Sequence, residues 1–165
     1  MSIMIHIFFD LDDTCMDTTG ILGGSLMNLA KIRPFKGLVR ILKRQDCINY
    51  LVSCGAAHIQ RKKIKLLKIA NYFRSVRICL EASDKLILFM AIAKDVCPKE
   101  RRRIVVVGNR IDVEIRYGNL LGFHTVHIQH GKYANLRPRC KDEVPNYVIG
   151  EISDLGRILD RIGRY

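Results

Sequence analysis

Two aspartates, Asp10 and Asp12, close the apolar run Ile3 to Phe9 in the stretch Asp10-Leu-Asp-Asp-Thr14. In an extended chain, residues two apart point the same way, so two carboxylates meet at one spot. Like charges this close call for a bound cation or one raised pKa. Such a pair can divide its labour: one carboxylate attacks an electrophilic phosphorus while the other manages the leaving group's proton. The competing reading is an acidic turn in which Asp12 or Asp13 caps the next segment.

Apolar, β-branched runs like the first recur at Cys47 to Val52, Val76 to Leu80, Ile104 to Val107, Thr125 to Ile128 and Tyr147 to Ile149, and predict buried strands. Helical spacing covers Gly37 to Arg44, Ala57 to Ala70, Asp84 to Val96, Val113 to Leu121 and Ile152 to Ile162. The alternation predicts an α/β fold, a doubly wound, mostly parallel sheet. In such sheets the ligand site lies beyond the carboxyl ends of the strands. The polar residues there are Asp10 to Thr14, then Ser53-Cys54-Gly55, then Gly108-Asn109-Arg110.

A chain of 165 residues that is 48% hydrophobic can bury one core, so a single domain over 1–165 is expected. The 28 Lys and Arg against 16 Asp and Glu give a net charge of +12, which favours anionic partners, phosphorylated compounds and nucleic acid among them. The six cysteines form no Cys-x-x-Cys pair, and no signal peptide is evident, which predicts a reduced, cytoplasmic protein. No apolar run reaches the ~20 residues of a transmembrane helix. A strand at Thr125 to Ile128 would scatter His124, His127 and His130, and the bland account of Cys15 and Cys54 is packing.

The order of these strand ends resembles the haloacid dehalogenase (HAD) superfamily, over nearly the whole chain. Asp10-Leu-Asp12-Asp-Thr14 is similar to its first motif, Leu51-Val-Ser53 to its second, Lys85 to its third, and Val105 to Ile115 to its fourth. The resemblance implies strand order 5-4-1-2-3, Asp10 as a nucleophile that forms an aspartyl-phosphate, and Asp12 as general acid and base. It makes Lys85 the cation that stabilises the transferring group and Ser53 a phosphoryl ligand. Backbone N–H groups around Cys54 and Gly55 suit phosphate oxygens as well. Magnesium is implied at Asp10, the Asp12 carbonyl and the fourth-motif residues Asn109 and Glu114, with Asp112 as Glu114's competitor. The expected activity is a magnesium-dependent phosphomonoesterase.

Read alone, Ser53 is equally a helix N-cap, Lys85 a solvated lysine, Asp112 an N-cap and Glu114 a first-turn acid. Asn109 stands where the family usually has Asp, and a neutral amide oxygen is a weaker magnesium ligand than a carboxylate. The alternative function is therefore a catalytically impaired relative that binds phosphate or nucleic acid. The segment 15–33 has room for a flap or minimal cap only, so an open site is expected, suited to a phosphorylated metabolite or a larger polyanion, or covered by a second subunit of a homo-oligomer.

Overall fold

The structure is a computed structural model that describes residues 4–164. Ile3, at the start of the first predicted strand, lies outside them. Six strands form one sheet: β1 Ile5–Phe9, β2 Cys47–Cys54, β3 Ser75–Cys79, β4 Ile104–Gly108, β5 His124–Ile128 and β6 Tyr147–Ile149. All neighbours pair in parallel in the order β3-β2-β1-β4-β5-β6. This is the implied order with β6 added beyond β5.

Why the runs become strands is visible in their burial. Every residue of β1 and of β4 is buried, as expected where helices cover both faces of a parallel sheet. Ile5, Ile7 and Phe9 of β1 join a core with Val105 and Val107 of β4, while Phe8 faces the opposite core with Ile104 and Val106. The helices are α1 Thr18–Leu22, α2 Leu38–Leu42, α3 Ala57–Leu67, α4 Lys85–Lys94, α5 Arg116–Leu120 and α6 Leu155–Ile162. The first core takes the apolar sides of α2, α3 and α6, and the second that of α4.

The predicted helix Val113 to Leu121 begins differently: a π-helical turn, Ile111–Ile115, precedes α5. Such wide turns often occur at functional sites. Among the described residues, no second domain interrupts the fold, and 15–33 holds only α1 and a 3₁₀ turn at Leu26–Lys31. No helix among them is long and apolar enough to cross a membrane.

The chain runs from β1 outward to β3, then crosses back to place β4 on the other side of β1. The switch in direction falls between β1 and β4. Asp10 follows one of these strands and Asn109 the other, and the Asp10 N–H donates to the Val107 carbonyl at 3.0 Å.

Candidate active site

Beyond the β1 and β4 ends lies a cavity of about 510 Å³ with Asp10, Asp12, Lys85, Asn109 and Glu114 in its wall. Lys85, the first residue of α4, is only 2% exposed. Its Nζ lies 2.5 Å from Asp10 Oδ1 and 2.6 Å from Glu114 Oε1. Lys85 is thus a buried bridge between two carboxylates, not a solvated helix lysine.

Glu114 can approach because Gly108 has no side chain: a Cβ there would overlap Glu114 Cβ and Cγ. The other Glu114 oxygen accepts the Arg110 N–H at 3.1 Å. Asp112 instead forms a two-pronged pair with Arg110, at 3.1 and 2.8 Å. Of the two acids, only Glu114 lines the cavity.

Asp10 and Glu114 set two buried carboxyl groups against the single Lys85 ammonium. Burial pushes the Asp10 carboxyl up to about 7; Lys85 opposes this, and Glu114 and Asp12 add to it. For Lys85, burial works against the charge, but Asp10 and Glu114 outweigh it and hold the ammonium above its ordinary range.

Asp12 is held differently. Its Oδ1 accepts from Lys63 Nζ at 2.6 Å and from the Thr18 hydroxyl at 2.7 Å, and its Oδ2 from Gln60 Nε2 at 2.7 Å. Burial favours the neutral acid, but the Lys63 charge and these hydrogen bonds prevail and lower its pKa. Gln60 and Lys63 project from α3 and were not among the residues the motifs pointed to.

Ser53 lies within β2 and is fully buried, and α3 begins at Ala57 with Ala56 as its N-cap and no side-chain cap bond, so Ser53 is no N-cap. Its Oγ accepts from Gln60 Nε2 at 2.7 Å. Cys54 lines the cavity, whereas neither Ser53 nor Gly55 does. The Gly55 N–H donates to the Cys79 carbonyl at 2.9 Å, so the β2–β3 pairing uses that donor. Cys15 is buried, and its thiol donates to the Asp10 carbonyl at 3.2 Å.

Asn109 faces the cavity with its Nδ2 toward the His130 carbonyl at 3.4 Å. Its Oδ1 has no hydrogen-bond partner among the described residues. Among the described residues, Asp10 Oδ2 accepts only from the Thr14 hydroxyl, at 3.3 Å. Together with two carboxyl groups against one ammonium, these oxygens fit a hard divalent cation. The three histidines do not converge: His127 bonds the Asn109 carbonyl, and His130 pairs with Asp17. Asp13, Asp17 and His130 do bring ligand atoms within 4.8 Å of one another. The Asp13 carboxylate, however, already accepts from the Thr18 and Thr19 N–H groups and the Thr19 hydroxyl, which secures the start of α1.

The chain is 35% identical over 134 residues to the glyceraldehyde 3-phosphate phosphatase of Methanopyrus kandleri, covering 76% of this chain and 56% of that protein. It is 30% identical over 131 residues to the protein of that name from Pyrococcus furiosus, covering 76% and 52%. The chain thus spans about half the length of the curated relatives it matches. Its structure is similar to the HAD-hydrolase YfnB of Bacillus subtilis bound to magnesium, with TM-score 0.72, 13% identity, and 95% of this chain and 99% of that one covered. No family model matches the chain. The sheet order, with Asp10, Ser53 and Gly108 at strand ends and Lys85 opening α4, and the likeness to YfnB show that the chain has the fold of the haloacid dehalogenase-like hydrolases.

Proposed function

We propose that this chain is a magnesium-dependent phosphomonoesterase working through an aspartyl-phosphate on Asp10. The observation that carries the reading is the buried Asp10–Lys85–Glu114 bridge on the cavity wall, at 2.5 and 2.6 Å. Asp10 attacks phosphorus and the ester oxygen departs; water then attacks the acyl phosphate and releases inorganic phosphate. Lys85, held in place by Glu114, faces the charge that gathers on the transferring group without costly reorganisation. Magnesium, held by Asp10, the Asp12 carbonyl and Asn109, would neutralise phosphoryl charge. Both Glu114 oxygens already have donors, so its part in this site is chiefly to hold Lys85. Once its contacts with Lys63 and Gln60 loosen, Asp12 takes up a proton from solvent, delivers it to the leaving group and then takes one from the incoming water.

The named activity of the two sequence relatives and the magnesium in YfnB support this reading. The test is release of p-nitrophenol from p-nitrophenyl phosphate in millimolar magnesium. Asp10→Asn should abolish it, since an amide cannot form the acyl phosphate, and unchanged turnover would remove Asp10 from the role.

Asn109 favours a second reading, a pocket that binds phosphate without turnover. Phosphate binding without release of product in the same assay would select it. Nucleic acid held by the +12 surface would instead show affinity that falls steeply with salt and ignores Asp10→Asn.

A further inference from the structure

Four cations line the cavity, and three have carboxylate partners: Lys63 with Asp12, Lys85 with Asp10 and Glu114, and Arg110 with Asp112. The fourth, Lys132, makes no ion pair among the described residues. Its side chain is exposed, but the turn that carries it is anchored. Gly131, at φ 70°, packs so closely on the Asp13 carboxylate that a Cβ would overlap it. The Lys132 N–H donates to the Thr19 hydroxyl at 3.3 Å. The turn is therefore fastened to the same Asp13–Thr19 cluster that positions α1.

The Tyr133 ring completes the arrangement. The Lys132 Nζ lies 4.7 Å from its centroid, and so does the Arg110 guanidinium. Two cations against one ring repel each other, and Asp112 compensates only Arg110. The cavity thus has an acidic wall suited to a cation that would bring a phosphoryl group, and a rim with one exposed ammonium, against the Tyr133 ring, that has no anionic partner among the described residues.

We propose that Lys132 receives a carboxylate on the substrate, so that the preferred substrates are small phosphomonoesters carrying a carboxylate beyond the phosphoryl group. This rests on the phosphatase reading of the site and adds the substrate class to it. One ammonium on an aromatic ring is a point charge that matches a single carboxylate; an uncharged aldehyde or alcohol end would leave it without a partner.

The test uses two compounds that differ at the far carbon, 3-phosphoglycerate and glycerol 3-phosphate. Calorimetric titration of the Asp10→Asn protein in magnesium measures binding without turnover. The carboxylate compound should bind at least about tenfold more tightly, the size of a charge-assisted contact. That ratio should collapse toward unity when Lys132→Met is added and return with Lys132→Arg. Equal binding of the two compounds, or a ratio unaffected by Lys132→Met, overturns the proposal. The phosphatase reading fails separately, if the unsubstituted protein releases phosphate from neither compound while the binding preference persists.

Discussion

Lys63 Nζ lies 2.6 Å from Asp12 Oδ1, joining the helix after β2 to the second aspartate of the β1 end. The pair fixes Asp12 as a carboxylate turned toward α3. Its folded pKa lies below the ordinary 3.8, so the pair contributes stability above the unfolded value that is lost as pH falls through the folded one. Lys63→Met should cost about 1–2 kcal/mol near neutral pH, less than a fully buried pair because Asp12 keeps some exposure. In denaturant unfolding the gap to the parent should narrow as pH drops below 3.8. A gap that stays constant into acid would mean that Lys63 acts by packing alone.

Asp10 has the opposite sign. Burial raises its folded value to about 7 from 3.8, so its contribution is fully present below the unfolded value and is lost as pH rises through the folded one. Asp10→Asn removes this titration. In metal-free thermal melts the variant should gain on the parent by on the order of 1–3 kcal/mol between about pH 5 and about pH 8, while losing phosphatase turnover. Parallel stability curves would argue against a buried carboxyl that Lys85, shared with Glu114, offsets only in part.

Asn109→Asp should tighten magnesium by on the order of 1 kcal/mol or more, since a charged oxygen replaces a neutral one. Activity at limiting magnesium should rise, and the gain should shrink at saturation. Unchanged metal affinity would place Asn109 outside the coordination sphere. Turnover appearing only in the variant would make the parent a phosphate-pocket binder.

Gly108→Ala should destabilise by about 1–3 kcal/mol, the usual cost of forcing a methyl group into filled space. The displaced neighbour is Glu114, so the change should also reduce turnover by loosening Lys85. Wild-type melting temperature and rate in the variant would show that Glu114 yields freely.

The strands were legible because continuous apolar runs such as Val105 to Val107 are what a sheet covered on both faces requires. The strand ends then named Asp10, and the family resemblance Lys85 and Glu114, before any geometry was known. Gln60 and Lys63 escaped because Arg61-Lys-Lys63 reads as a solvated basic run. The signal was present in helical phase: Gln60, Lys63, Ile64 and Leu67, spaced as i, i+3, i+4 and i+7, are the buried residues of α3. Gly55 was harder, because its N–H is used by β3, a partner far along the chain. The π-helical turn at Ile111–Ile115 depends on backbone winding that side-chain pattern does not report. Lys132 sits on a turn with no periodicity, and only the packing of Gly131 on Asp13 gives it a fixed place.

The position of β1 within the sheet has a dynamic consequence. With β2 and β3 on one flank and β4, β5 and β6 on the other, β1 opens only if much of the sheet opens. Fraying starts at the rims, β3 and β6, where one side of each strand lacks a paired neighbour. Amide hydrogen exchange should therefore be slowest in β1 and β4, which carry Asp10 and Asn109, and faster in the turn bearing Lys132. The chemical groups ride on the most slowly opening part of the molecule, while the rim that would greet a ligand is held by the Asp13–Thr19 cluster and not by the sheet.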